Sequence, residues 1–205
     1  MGWSNGRKKK EIDPNLKPEE VARQAYARAI RILGPREHTT TELRNKLSDS
    51  GFDSDVIEAT LERLISQGYQ SDERFANLYA EQLLRKHNGP MSISAKLGAR
   101  GIDSSMSREA IAQLRADWPE VAADALRSRF SATFGLATVG LATVGLANTG
   151  SADSGFADKG HGFDKRLSDF DQAEIGKYAR FLNRRGFSST DSIKAIRLAA
   201  ETVSE

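Results

Sequence analysis

LRNKLSDSGF, residues 43–52, returns twice in altered form, as ISAKLGARGI at 93–102 and YARFLNRRGF at 178–187. In each copy an apolar residue stands eight before a glycine (Leu43, Ile93, Tyr178) and a leucine four before it (Leu47, Leu97, Leu182). Gly51, Gly101 and Gly186 are each followed directly by an apolar residue, Phe52, Ile102 or Phe187, and ten positions later by another, Leu61, Ile111 or Ile196. A leucine one turn before a helix-ending glycine packs with the apolar residue after it, closing the helix C-terminus hydrophobically. The residue ten later falls inside the next helix. The repeating unit is therefore a helix, a glycine turn and a helix, preceded by a longer helix.

Working outward from the first copy, Ala22, Ala25, Tyr26, Ala29 and Leu33 recur at helical spacing and predict one apolar helix face, ended by Gly34-Pro35. Thr39 or Thr40 can cap the next helix, which carries Leu43 and Leu47. Ser54 is the expected cap of a third, whose inner face is Ile57, Leu61, Leu64 and Ile65, with Gly68 closing it. Three short helices with tight joints make one bundle-like unit.

The next stretch, GYQSDERFA at 68–76, poses a choice between an active site with paired carboxylates and a joint between helices. Asp72 and Glu73 are neighbours, and on a helix neighbouring side chains point about 100° apart, so they do not converge on one bond. As a joint, every residue has a task. Gly68 supplies the left-handed conformation, Tyr69 is expected to pack back, and Ser71 caps a helix whose first turn carries the two acids beside the positive end of its dipole. Phe75, Ala76, Tyr79 and Leu83 then form the buried face. The joint is the better reading.

Fifty positions separate Gly51 from Gly101, and 85 separate Gly101 from Gly186, an excess of 35. The surplus is visible as tandem five-residue low complexity from Gly135 to Lys159, which predicts a loop too poor in apolar surface to offset its ordering entropy. Gly150 and Gly155 have phosphate-loop spacing, but Phe156 stands where lysine is needed; Gly160-His161-Gly162 begins a dinucleotide-loop pattern that Lys165 breaks. The expected organisation is a basic tail at 1–17, three-helix repeats at 18–70, 71–118 and 119–205, and an insertion splitting the last at about 135–171. In that last repeat the first helix is expected over about 119–134 and the second over about 172–185. Trp118-Pro119, at a repeat boundary, reads as a packing plug, and Trp3 lies in the tail.

Composition narrows the chemistry. The chain of 205 residues has no cysteine, which removes disulfides, thiolate metal sites and cysteine nucleophiles and fits a reducing cytoplasm. His38, His87 and His161 have no ligand spacing with one another, so no metal or other cofactor is expected. The sequence offers no signal peptide or membrane helix, and Gly6 stands where a myristoylation signal wants Ser or Thr. Net charge is only +2, yet Arg7 to Lys10 form a basic run, and Lys177, Arg180, Arg184 and Arg185 a second cluster.

The ordered features REHTTTELRNKLSDSGF, GYQSDERFA and ISAKLGARGI, followed by RRGFSS, resemble the RecX family of bacterial regulators of the recombinase RecA. The resemblance runs over about 22–114 and 175–200. It implies an all-α fold of tandem three-helix, helix-turn-helix-like repeats forming an elongated, curved body. It implies no enzymatic activity, and binding in the groove of the RecA–single-stranded DNA filament. Such binding inhibits ATP hydrolysis, strand exchange and co-protease activity, and so restrains recombination and the SOS response. Single-stranded DNA would be met mainly through the filament, with weak direct affinity. The expected state is a cytoplasmic monomer without membrane contact. Two departures stand out: the neutral HNGPMSIS segment from His87, where the family is often more basic, and the insertion.

A stack of small repeats presents one long face, and a filament containing phosphate calls for basic residues on it. At 100° per residue Lys177, Arg180 and Arg184 fall within about 60° of one another on a helix. Arg100 and Arg185 share the repeat position before the glycine; Lys46 and Lys96 share the position five before it. These seven are the candidate binding residues, set against the plainer reading that basic residues in a last turn only meet the helix dipole or solvent. Arg85, Lys86 and the N-terminal run fit that plainer reading. The alternative function is a helix-turn-helix regulator acting on duplex DNA, but the helix after Gly51 carries Asp53, Asp55, Glu58 and Glu62, which repel phosphate.

Overall fold

The computed structural model describes residues 16–134 and 170–201. Trp3, the N-terminal basic run, the pentapeptide segment, the two Gly-rich loop patterns and His161 lie outside the described residues. The secondary structure of the described residues is entirely helical. The chain forms two compact units, one running through Lys86 and including Ser92–Arg115, the other comprising His87–Met91 and the chain from Ala116 onward.

The first unit holds α1 (Pro18–Leu33), α2 (Thr40–Asp49), α3 (Ser54–Ser66), α4 (Asp72–Leu84), α5 (Pro90–Gly98) and α6 (Ser104–Gln113), with α5 beginning in the short 87–91 segment of the second unit. Ala25 and Ala29 of α1 pack with Leu43, Leu47, Phe52, Ile57, Leu61 and Leu64, and Val21 flanks them while Ala22 faces solvent. Each such leucine contributes about 1.5–3 kcal/mol when fully buried. In the following triplet the buried set is Phe75, Ala76, Ala80, Leu83, Ile93, Leu97, Ile102 and Ala110, with Tyr79 half-buried.

The three glycine turns share one hydrogen-bond pattern. Gly51, Gly101 and Gly186 have φ of 93°, 85° and 85°. The amide after each donates to the leucine four before it: Phe52 to Leu47 (3.3 Å), Ile102 to Leu97 (3.2 Å) and Phe187 to Leu182 (3.2 Å). Gly68 ends α3 in the same way, with φ 72° and Tyr69 N–H bonded to the Leu64 carbonyl at 2.9 Å. A left-handed residue here satisfies carbonyls that the helix end leaves open, and only glycine adopts it at no steric cost.

Several local expectations are corrected. Thr39 caps α2, its hydroxyl accepting the Glu42 N–H at 3.1 Å, but Asp53 and not Ser54 occupies the cap position of α3, and it makes no side-chain cap bond. Ile65 is 50% and Tyr69 54% exposed. Thr60 and Gln70 are buried in the same stretch. The Thr60 hydroxyl donates to the Val56 carbonyl at 2.7 Å, which removes the cost of burying it. Gln70 is buried because its side-chain amide donates to the His38 carbonyl at 3.3 Å and to Asp72 at 2.7 Å and accepts from the Thr40 hydroxyl at 3.2 Å.

The second unit holds α7 (Trp118–Arg129), α8 (Ser131–Phe134), α9 (Gln172–Arg184) and α10 (Ser189–Glu201). The helix expected over 119–134 is broken at Phe130, where φ −124° and ψ 44° leave the helical region. The break turns the Phe130 ring edge-on to Tyr178 and Phe181, with centroids 5.0 and 5.4 Å away. Phe134, Phe170 and Tyr178 form a second ring cluster at 5.0–5.7 Å. Phe170 is buried and Asp171, though exposed, caps α9, so both residues, expected inside the insertion, belong to the helical fold. Trp118 is half-buried against this same core.

Candidate binding surfaces

The GYQSDERFA stretch is a clamp inside the first unit. Ser71 Oγ accepts the Arg74 N–H at 3.1 Å, as a cap should. Asp72 Oδ1 accepts the Thr40 N–H at 2.8 Å and the Gln70 side-chain amide at 2.7 Å, so an acid at the start of α4 also caps α2. The Arg74 guanidinium is bidentate to Glu37 (2.6 and 3.2 Å) and donates to the Gly68 and Tyr69 carbonyls at 3.2 and 3.0 Å. All these groups are consumed in structure.

Arg100, at the end of α5, donates to Glu42 of α2, and its guanidinium lies 5.3 Å from the Tyr79 ring centroid. Glu42 also receives His38 Nδ1 at 2.9 Å and has Arg36 at 3.7 Å. Burial pushes the Glu42 carboxyl up, but the bonds from Arg100 and His38 and the two guanidinium charges outweigh it and hold it below its ordinary range. Burial lowers His38, only partly offset by Glu42, so the ring is neutral near pH 7 and donates from Nδ1. The charge of Arg100 is thus already matched. Lys46 is exposed in the last turn of α2, and Lys96 is half-buried on α5.

The second unit carries the basic stripe. α9 begins with a reciprocal cap: the Glu174 N–H donates to Asp171 at 2.6 Å and the Asp171 N–H to Glu174 at 3.3 Å. Tyr178 and Leu182 face inward; Lys177, Arg180 and Arg184 are exposed on the other side. Lys177 Nζ lies 5.1 Å from the Phe130 centroid, and the half-buried Arg185 lies 5.3 Å from that of Phe181. Sequence reading missed a further member, Arg129, whose guanidinium is 5.3 Å from the Phe130 ring. Arg127, two residues earlier, is held by Glu120 and Asp124, each at 2.8 Å, and by the Leu198 carbonyl at 3.2 Å. Four of the seven sequence candidates therefore share one unit, three on α9 and Arg185 at its C-cap, and Lys177 and Arg129 rest on a single aromatic ring.

Two family descriptions match this chain: "RecX, first three-helix domain" over residues 25–64 and "RecX, second three-helix domain" over residues 71–111. The Regulatory protein RecX of Chromohalobacter salexigens is 38% identical over 104 residues, which is 51% of this chain and 68% of that protein. The chain belongs to the RecX family. The Regulatory protein RecX of Xanthomonas citri is 39% identical over 103 residues, and the match spans 64% of its length. The crystal structure of RecX from Lactobacillus salivarius shares the fold, with a TM-score of 0.63 at 19% identity, covering 88% of this chain and 97% of that one. A second crystal structure, of regulatory protein RecX, gives a TM-score of 0.60 at 19% identity over 84% of this chain and 70% of the other. The first named three-helix domain spans the second half of α1 through α3 and the second spans α4–α6, and these relatives are regulatory proteins. Among the described residues no group of acids and histidines could hold a metal ion, and no helix is long and apolar enough to cross a membrane.

Proposed function

We propose that this RecX-family chain is a non-catalytic cytoplasmic regulator that docks as a monomer on RecA filaments formed on single-stranded DNA. Its docking lowers their ATP hydrolysis, strand exchange and co-protease activity. The observation that carries the reading is the α9 face, where Lys177, Arg180 and Arg184 stand exposed beside the ring-stacked Arg185 and Arg129. A row of cations on a rigid helix meets phosphates without ordering a loop, and each phosphate contact makes binding steeper in salt. Lys46 and Lys96 are further contacts along the chain, and Arg100 serves mainly to hold Glu42.

Titrating the full chain into RecA on single-stranded DNA tests this. The expected result is loss of ATP hydrolysis at substoichiometric amounts, weakened when Arg180→Glu and Arg184→Glu are combined. Unchanged hydrolysis up to equimolar protein removes the reading. Sequence-specific duplex binding is disfavoured by α3, whose Glu58 is tied to Arg44 at 2.7 and 2.9 Å and whose other acids face solvent.

A further inference from the structure

We propose that a pocket in the first unit, outside the basic stripe, takes an acidic segment of a partner protein through one large apolar side chain. The pocket is about 460 Å³, within the range of ligand-binding clefts. Its apolar wall comes from one face of α4: Phe75, Leu78 and Tyr79. Leu78 is 48% exposed, unlike Phe75 beneath it, so the cleft presents aliphatic surface that the fold does not cover. Residues 75, 78 and 79 follow the spacing of a helix face, and that face is rigid because Ala76, Ala80 and Leu83 anchor its other side.

The rim is cationic. Arg36, Lys86 and Arg100 line it against one acid, Glu37, which Arg74 already neutralises. Arg100 shares Glu42 with Arg36, so one carboxylate serves two guanidinium groups there. Arg36 is the cation best placed to meet a ligand: its side chain is 52% exposed and its approach to Glu42 is long, at 3.7 Å. An occupant must therefore bring negative charge to the rim and an apolar group to the wall.

Acidic protein fits this better than nucleic acid. A base wants an open aromatic face, and the Tyr79 ring already carries the Arg100 guanidinium. Leu78 offers nothing planar to stack on. A Phe or Leu flanked by Asp and Glu satisfies both halves of the site. The inference deepens the reading of a filament regulator by giving the chain a protein contact as well as a phosphate contact, and it rests on that reading only for the partner's role.

The test is an amide NMR titration of the full chain with a short peptide of Asp, Glu and Ser carrying one Phe. Saturable shifts are expected at Leu78, Tyr79 and Arg36. They should weaken about tenfold when the peptide's Phe becomes Ala, or in Leu78→Asp and Arg36→Glu protein, and persist in Leu78→Met. Leu78 and Arg36 are exposed enough that these variants stay folded, which the rest of the spectrum reports. No saturable shift at these residues overturns the proposal, as does a response to oligo(dT) at the same residues in place of the peptide. RecA does not enter this titration, so its failure is separable from a failure of the ATP-hydrolysis assay.

Discussion

In the first unit the residues twelve and ten before Gly51, Thr39 and Thr41, lie on the turn at Gly101; in the second unit their counterparts before Gly101, Gly89 and Met91, lie on the turn at Gly186. The repeat positions are the same and the chemistry differs. Thr39 spans its joint with a side chain, its hydroxyl donating to the Arg100 carbonyl at 2.7 Å while accepting from Glu42 N–H. Gly89 closes its joint with backbone alone: its N–H donates to the Arg185 carbonyl at 2.8 Å, and Met91 N–H to the Gly186 carbonyl at 3.1 Å. At Gly89 the two backbones come so close that a Cβ would meet the Gly186 carbonyl. The charges diverge too, because Glu42, which meets Arg100, corresponds to the neutral Ser92. Repetition here preserves the apolar closure of each turn and leaves free the means of fastening a helix start to it.

The comparison is most exposed at Gly89. An added Cβ would lie 2.7 Å from Phe187 N and closer still to the Gly186 carbonyl, and neither can step aside. Gly89→Ala is expected to cost about 3 kcal/mol, at the upper end of overpacking, read as a fall in urea midpoint. At Gly101 the obstacle is the Thr41 side chain, 2.7 Å away at its Cβ. Gly101→Ala, strained besides by its φ of 85°, should therefore recover in part when combined with Thr41→Gly, which removes that Cβ, whereas no side-chain truncation rescues Gly89→Ala. Equal rescue at both sites would break the distinction.

Thr39→Ala removes a cap and the bond to Arg100 together, and about 1–2 kcal/mol is expected from chemical denaturation. Glu42→Gln should cost about 1 kcal/mol and steepen the salt dependence of DNA binding, because Arg100 loses its counter-charge. The smallest effect is the response to pH. His38 sits below its ordinary 6.5 when folded, so the unfolded chain binds its proton first and stability falls as pH drops below about 6.5. Glu42, also lowered, adds a second loss that begins near 4.5 and continues below it. His38→Gln should remove the upper part of this drift in a urea-midpoint series and leave the lower part.

The helices and their glycine ends were legible because each is fixed by neighbours in sequence: a leucine, a glycine and an apolar residue within five positions. Burial on the flanks was less so. Helical spacing places Ile65 beside Leu61 and Leu64, yet which edge of a face is covered depends on the helix packed against it, and here Thr60 is covered instead. Gln70 is buried because His38, Thr40 and Asp72 supply partners up to 32 positions away. The α9 stripe could be read from periodicity alone. Arg129 could not, since its place beside α9 depends on the Phe130 ring lying against Tyr178 and Phe181, and the pairing of Arg100 with Glu42 spans 58 positions. Sequence could group Arg100 with Arg185 by register but could not show that Arg100 meets Glu42.

Phe134 and Phe170 flank residues 135–169, with ring centroids 5.5 Å apart and both rings against Tyr178. The two stubs are thus stapled side by side, whatever runs between them. Tying two chain positions together costs only about 0.6 kcal/mol more for each doubling of the intervening length. A change in the number of residues between these two positions is consequently expected to alter stability little, and the same seam should accept a grafted reporter module without disturbing α9.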